Sequence, residues 1–214
     1  SCVPVCVSSG GSLGAYAEAE RLPLVLVPGG GQPRAAVGSL SMPLLATLEA
    51  SGLTYDHTSE VVAAAAQLET DSALLGPDSA DDDNPAKVLA RKLDERLVVV
   101  YGAGPTVPVA RRWKGQVNEN AKAPAFFNEL PELDHNELMG WTSLPHITAS
   151  TFALFLTDES AGERLLRRAE LTAREYEALG VATEVVAARG SSRLARLFSL
   201  VQLGDYASCY LALL

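Results

Sequence analysis

Short apolar segments alternate with segments of helical periodicity along this chain, and that alternation limits the folds available to it. The apolar segments of the second half are Arg96–Tyr101, Ala125–Asn128, Phe152–Thr157 and Val181–Ala188. The helical patterns between and after them cover Val107–Lys122, Asn136–Thr142, Ala161–Leu179 and Arg193–Leu214. Uniformly apolar strands joined by helices are typical of a parallel sheet that helices cover on both faces. The pattern therefore predicts an α/β fold with a doubly wound parallel sheet.

The first half carries a shorter version of the same pattern. Strands are predicted over Val3–Val7 and Leu22–Val27, and helices over Leu13–Glu20 and Arg34–Ser51. A further helix is predicted over Thr58–Leu75. We therefore predict two related α/β units, the first incomplete, with boundaries at 1–57, 58–94 and 95–214, where the middle range is a helical connector.

The connector contains an acidic run, Gly76–Pro85, followed by a predicted helix over Ala86–Asp94. Its composition predicts an exposed loop or linker. A Ca²⁺-binding loop is the alternative, but the run lacks the central glycine and terminal glutamate of an EF-hand. The odd number of cysteines (Cys2, Cys6 and Cys209) argues against a disulfide framework, and Cys2 and Cys6 are predicted to be buried structural thiols. We therefore predict no metal site and no cofactor.

The charge balance disfavours two classes of partner. The formal net charge is −9, whereas nucleic acids and anionic membranes both require a cationic face. No apolar run approaches the roughly 20 residues of a membrane span, and no signal peptide is visible. The default compartment is the cytoplasm. A small phosphorylated substrate remains compatible with the composition, because a few backbone N–H groups at a helix start suffice to bind it.

Polar and aromatic residues concentrate in one segment, Arg111–Trp141, of a chain otherwise dominated by Ala, Leu and Val. Polar groups on core elements reduce stability unless they are paired, so this density indicates a functional site. Glu119 and His135 are its candidate acid–base groups. From spacing alone, Glu119 could equally be a solvated residue that pairs with Lys122. His135 could equally be a residue that makes structural hydrogen bonds. The turn Gly102–Gly104 follows a strand and is a weak candidate for a phosphate cradle.

Four segments carry a resemblance to a known family. They are Arg112–Lys122 (RWKGQVNENAK), Pro131–Glu137 (PELDHNE), Gln32–Ala36 (QPRAA) and Asp205–Ala212 (DYASCYLA). In this order and at this separation they resemble the bifunctional phosphoglucose/phosphomannose isomerases, enzymes built from two SIS (sugar isomerase) domains. The resemblance spans nearly the whole chain. It implies an aldose–ketose isomerase that interconverts glucose 6-phosphate, and mannose 6-phosphate, with fructose 6-phosphate through a cis-enediol.

The resemblance also implies roles for three residues. Glu119 matches the catalytic base that moves a proton between C1 and C2. Arg34 matches the arginine that stabilises the enediolate. His135 matches the histidine that opens the sugar ring and reaches the partner subunit's site, which implies a homodimer with shared active sites. No metal or other cofactor is implied.

Two parts of the family pattern lie outside these 214 residues. The Ser/Thr-rich phosphate loop of the first SIS domain precedes the position that corresponds to Val3, and a lysine that assists ring opening follows Leu214. We therefore expect additional sequence before Ser1 and after Leu214. A non-catalytic sugar-phosphate-binding regulator and a structural dimerisation module are the alternative functions. The joint presence of Arg34, Glu119 and His135 favours the enzyme over the regulator, which needs no base, and the dimerisation module does not explain the dense polar segment.

Overall fold

A computed structural model describes residues 3–214 and divides them between two compact units. The first unit is Ser1–Ser59 and the second is Glu60–Leu214. Cys2 lies outside the described residues.

The first unit is built around a pair of parallel strands. Its elements are β1 (Cys6–Ser8), α1 (Gly11–Ala19), β2 (Leu24–Leu26), a 3₁₀ turn (Pro33–Ala35) and α2 (Val37–Ala50). Strand β1 pairs with β2 in the register Cys6 to Leu24. The prediction of a buried strand from Val3 was wrong, because Val3 and Val5 are exposed and only Cys6 of this stretch is buried. A three-residue parallel pair provides too little surface to cover the preceding valines.

The second unit contains seven helices and four strands among the described residues. In chain order they are α3 (Thr58–Leu75, which starts at the unit boundary), α4 (Pro85–Leu93), β3 (Leu97–Ala103), α5 (Val107–Gln116), β4 (Ala125–Leu130), α6 (Glu132–Asn136), α7 (Pro145–Ala149), β5 (Thr151–Thr157), α8 (Glu163–Ala178), β6 (Ala182–Ala187) and α9 (Arg193–Leu211). The predicted helix over Asn136–Thr142 was misplaced: α6 ends at Asn136, and a 3₁₀ turn covers Leu138–Thr142.

The four strands form one parallel sheet in the order β4-β3-β5-β6, which confirms the predicted α/β class. Strand β3 is central and almost wholly buried. Side chains of one of its faces, among them Tyr101, join a core with Phe155 of β5 and Tyr176 of α8. The opposite face includes Gly102, where a Cβ atom would stand 2.4 Å from the Cα atom of Val107 at the start of α5. Helices therefore cover both faces of the sheet, and glycine at position 102 lets α5 begin close to its strand.

The acidic run is an ordered loop inside the second unit rather than an unattached linker. The Lys87 ammonium on α4 donates to the carbonyl oxygens of Pro77 and Ser79 at 2.9 and 2.8 Å and to the Asp81 carboxylate at 2.9 Å. Asn84 is fully buried, caps α4 by accepting from two backbone N–H groups, and donates to the Gly76 carbonyl at 3.0 Å. The acidic side chains remain at the surface while the backbone of the loop is fixed to α4.

Two further expectations concern the surface. Cys6 is buried as predicted, and Cys209, near the end of α9, is exposed. Across residues 3–214, none of the helices has both the length and the apolar character that crossing a bilayer requires.

Candidate active site

Glu119 lies on a single wide π-helical turn, Val117–Ala121, which extends α5 at its C-terminal end. The turn ends at Lys122, whose φ of 57° is left-handed. The Glu119 side chain is exposed, whereas Val117 is buried. A π turn inserts an extra residue into a helix and is found frequently at functional sites. The local backbone therefore directs Glu119 outward while its neighbour packs inward.

The helix that carries Glu119 is fixed by residues of the same polar motif. The Trp113 indole is 2% exposed and donates from Nε1 to the Leu200 carbonyl of α9 at 2.8 Å. Asn118 donates from Nδ2 to the Ala123 carbonyl at 2.9 Å, across the end of the π turn. The motif that the sequence singled out thus consists largely of anchoring residues around one outward carboxylate.

His135 lies on α6, directly after strand β4, and is exposed. Its neighbours anchor this short helix. Leu133 is fully buried in the core, and the Asp134 carboxylate accepts from the Thr172 hydroxyl at 2.8 Å and from Arg168 Nη1 at 2.9 Å, both on α8. The short helix that carries His135 is therefore held in place by the inward contacts of Leu133 and Asp134.

Glu137 is a functional candidate that the sequence reasoning missed. Its carboxylate accepts hydrogen bonds from Tyr101, from Asn128 Nδ2 at 2.8 Å and from Tyr176 at 3.4 Å. Burial raises the pKa of the Tyr101 and Tyr176 hydroxyls well above the ordinary value, so both remain protonated donors. The sequence offered one signal for Glu137, an acidic residue two positions after His135. Its hydrogen-bond partners, however, lie on elements that are distant in sequence.

Glu119 and His135 are not brought together within one chain. Helix α5 runs back from the carboxyl end of β3, so the π turn lies at the amino edge of the sheet. Strand β4 then crosses to the carboxyl edge, where α6 carries His135. A strand of six residues is about 20 Å long. Glu119 therefore lies near the amino ends of the strands, and His135 lies near their carboxyl ends, on the opposite side of the same sheet.

Arg34 belongs to the first unit and lies in the 3₁₀ turn Pro33–Ala35. It is half-buried, and its Nη1 donates to Gln32 Oε1 at 3.2 Å. Residues on both sides of it in sequence line a cleft of about 530 Å³ at the carboxyl ends of β1 and β2, together with Ser8, Ser9 and Gly29–Gly31. Crevices at the carboxyl ends of parallel strands are the usual ligand sites of such sheets.

The Gly102–Gly104 turn is explained by packing. The Thr106 hydroxyl fills the turn by donating to the carbonyl oxygens of Ala103 and Leu156, and it accepts from the Ala103 backbone N–H at 2.9 Å. The position of a Cβ at Gly104 already lies 3.4–3.5 Å from Leu165 and Ala161. Both sides of the turn are thus occupied by the protein itself.

Within the described part of the chain, no cluster of three or more His, Cys, Asp or Glu side chains has the arrangement of a metal site. The acidic loop illustrates the reason. Asp81 pairs with Lys87 and Asp82 pairs with Arg91, each at 2.9 Å, so these carboxylates face basic partners instead of converging.

Comparisons with known proteins place the chain in a family. A family model described as "Bacterial phospho-glucose isomerase C-terminal SIS domain" matches residues 82–214. The curated bifunctional phosphoglucose/phosphomannose isomerase of Caldicellulosiruptor bescii is 36% identical over 211 residues, which is 98% of this chain and 62% of that protein. The Aquifex aeolicus protein of the same name is 34% identical over 209 residues, which is 98% of this chain and 61% of that protein.

A solved structure supports the same architecture. The glucose-6-phosphate isomerase like protein from Thermus thermophilus aligns with a TM-score of 0.65 at 23% identity, over 95% of this chain and 69% of that one. The chain spans about three fifths of the length of the curated relatives it matches. On the family match and the identity to its relatives, the chain belongs to the bacterial phosphoglucose isomerase family, whose C-terminal SIS domain its residues 82–214 represent.

Proposed function

We propose that the natural protein carrying this chain interconverts glucose 6-phosphate, and also mannose 6-phosphate, with fructose 6-phosphate. The main support for the proposal is the placement of Glu119. Its carboxylate is exposed on a π turn, whereas neighbouring residues of the same motif hold the helix in place. The curated relatives named phosphoglucose/phosphomannose isomerase supply the substrate class. A non-catalytic sugar-phosphate-binding protein would not need such a base.

In the proposed reaction, the Glu119 carboxylate removes the C2 proton of the open-chain aldose phosphate. The C2–H electron pair forms a C1–C2 double bond, and negative charge develops on the sugar oxygens of the enediolate. The same carboxyl group then returns the proton to C1, while a proton is transferred from O2 to O1, and the ketose results. A carboxylate suits this step because it can take and return a proton at similar energy.

Arg34 and His135 have the supporting roles. The Arg34 guanidinium stabilises the enediolate, because a fixed cation lowers the energy of charge that develops on oxygen. The cleft of about 530 Å³ beside the Arg34 turn, lined by Ser8, Ser9 and Gly29–Gly31 at the carboxyl ends of two parallel strands, supports a place for the substrate in the first unit. His135 gives a proton to the ring oxygen as the C1–O5 bond breaks, while the proton of the C1 hydroxyl passes to water and the aldehyde forms.

We also propose that two chains form a homodimer with shared active sites. The support is the separation of Glu119 and His135, which lie near opposite ends of the strands of one sheet. The two side chains of a single chain therefore do not meet in one site. A two-fold dimer places the same surface of each chain against the other, so each site can take one residue from each subunit.

The test is a coupled assay of fructose 6-phosphate formation from each aldose phosphate, in EDTA, with the intact natural protein. Glu119→Gln keeps the shape of the side chain and removes its basicity, so turnover should fall by several orders of magnitude with the fold retained. Glu129→Gln, an exposed glutamate on β4, is the control and should retain turnover. Near-wild-type turnover of Glu119→Gln would exclude the proposed base, and a complete loss of activity in EDTA would contradict the metal-free route.

A further inference from the structure

The last helix, α9, presents two polar side chains to the segment that carries Glu119. Asp205 and Ser208 are one helical turn apart on α9 and therefore share a face of that helix. Both contact α5 or its π turn, across 88 to 93 residues of sequence. These contacts lie in the Asp205–Ala212 segment, for which the proposed chemistry has assigned no role.

Asp205 holds α5 by three hydrogen bonds. The Arg112 guanidinium donates from Nε to Oδ1 at 3.0 Å and from Nη2 to Oδ2 at 2.7 Å, and Gln116 Nε2 donates to Oδ1 at 2.7 Å. The two parallel bonds from one guanidinium are the strongest and most directional form of ion pair. Both partners are largely shielded, with 19% and 28% of their side chains exposed. Asp205 therefore fixes the rotation of α5 over the two turns that precede Glu119.

Ser208 holds the residue next to Glu119. Its side chain is fully buried, donates to the Asp205 carbonyl at 2.8 Å and accepts from Asn120 Nδ2 at 2.9 Å. Because its own hydrogen is used by the helix backbone, the Ser208 oxygen is oriented as an acceptor for Asn120. The π turn is thereby fixed to α9 through the residue that directly follows Glu119.

We infer that Asp205 and Ser208 are positioning residues for Glu119, a role that rests on the proposed isomerase function. Ser208 is fully buried, and only 28% of the Asp205 side chain is exposed. They act through Arg112, Gln116 and Asn120, which set where the Glu119 carboxylate stands relative to C1 and C2 of the sugar. Displacement of a catalytic group by about 1 Å reduces turnover by about 100-fold. Loss of either contact should therefore lower kcat by about 10- to 100-fold and change KM little.

The experiment measures kcat and KM in the intact natural protein for Ser208→Ala, Asn120→Ala and the double variant. If Ser208 acts through Asn120, Ser208→Ala lowers kcat in the wild-type background and has no further effect in Asn120→Ala. A role in general stability would instead lower kcat by the same factor in both backgrounds, and that result would overturn the inference for Ser208. Asp205→Asn, measured alongside, should lower kcat while its KM stays near that of the wild type.

Ser199→Ala is the matched control. Ser199 is a buried serine of the same helix, donates to the Arg196 carbonyl at 2.7 Å and accepts from the Arg189 backbone N–H at 2.9 Å. Ser199→Ala loses the same number of hydrogen bonds as Ser208→Ala, but neither bond goes to α5 or its π turn, so its kcat should be unchanged. A matching fall of kcat in Ser199→Ala would overturn the inference.

Glu119→Gln separates failure of this inference from failure of the proposed function. Near-wild-type kcat in Glu119→Gln would remove the proposed base itself. An inactive Glu119→Gln together with wild-type kcat in Asp205→Asn and Ser208→Ala would leave the function standing and overturn the positioning role alone. If Asp205→Asn does not fold, the Ser208 and Asn120 variants decide the question, since alanine is well tolerated in a helix.

Discussion

The Trp113 indole lies so close to Gly204 of α9 that a Cβ atom on this glycine would stand 2.3 Å from the indole nitrogen. Alanine in place of glycine usually stabilises a helix by about 0.5–1 kcal/mol. Here the overlap displaces a fully packed ring, at a cost of about 1–3 kcal/mol, and it threatens the Trp113 bond to Leu200. We predict that Gly204→Ala lowers the free energy of unfolding, measured by urea denaturation.

Gly115 provides the control for that prediction. It lies on α5 beside Trp113, and a Cβ atom there would meet nothing within 4 Å. Gly115→Ala should therefore be neutral or stabilise the protein by about 0.5–1 kcal/mol. Equal effects of the two substitutions would show that the contact with Trp113 does not determine the requirement for glycine.

The hydrogen bonds to the Glu137 carboxylate predict that its two tyrosine partners contribute unequally to stability. Tyr101 makes the close hydrogen bond, whereas the Tyr176 hydroxyl is 3.4 Å away. Tyr101→Phe leaves a carboxylate short of a donor and should cost about 1.5–3 kcal/mol of unfolding free energy. Tyr176→Phe should cost less, because a 3.4 Å contact is a weak hydrogen bond. Urea midpoints of the two variants measure the difference, and a larger loss in Tyr176→Phe would contradict this ranking.

Asp158 predicts a loss of stability in acid. Burial alone would raise the pKa of Asp158, but hydrogen bonds from Ser160 and Arg196 outweigh it and lower the pKa below the ordinary value. The unfolded chain therefore takes up a proton first as the pH falls, and the contribution of Asp158, full above about pH 4, is lost as the pH drops through the folded pKa. The advantage of the wild type over Asp158→Asn should shrink below that pH.

Denaturation at pH 7 and at pH 3 measures this effect. At pH 7 the substitution should cost about 2–4 kcal/mol, because Arg196 is left without its fully buried partner. A constant difference between wild type and variant across this range would mean that Asp158 has an ordinary pKa.

The shared site predicts that two inactive variants restore activity when mixed. Glu119→Gln and His135→Ala are each expected to be inactive or severely impaired alone. In a mixed dimer of the proposed kind, one site has both defects and the other has neither. Random exchange makes half of the dimers mixed, so activity should recover to about a quarter of the wild-type value in a two-fold dimer. No recovery after demonstrated subunit exchange would assign both residues to the same chain's site.

Much of the fold could be predicted from local pattern. Helix α3 has the predicted limits, Thr58 to Leu75, and β5 starts one residue before the prediction. Helix α7 was missed, because five residues are too few to show a helical period and Ile147 is exposed. The sequence pattern predicts a plain continuation of α5 through the π turn, because one of the contacts that hold the turn, from Asn120 to Ser208 of α9, is far away in sequence.

The candidate site was predictable as a segment but not as an arrangement. The density of polar residues identified Arg111–Trp141, and the resemblance selected Glu119 and His135 within it. Nothing local indicated that Asn120 pairs with Ser208, 88 residues later. Likewise, Asp81–Asp83 look like a solvated linker in sequence, and only the tertiary structure shows the Lys87 ammonium beneath the loop.

The burial of the Lys87 ammonium beneath the loop also makes the two lysines of α4 differ in chemical reactivity. Only 15% of the Lys87 side chain is exposed and its three donors face three oxygens, whereas Lys92, paired with Glu184, is 45% exposed. An acylating reagent attacks a deprotonated, accessible amine, so it should modify Lys92 well before Lys87. Once Lys87 is acylated, the loop loses three of its bonds to α4 but keeps those made by Asn84 and Arg91. A protease should then cleave the chain at Asp81–Asp83 faster than it does in the unmodified protein.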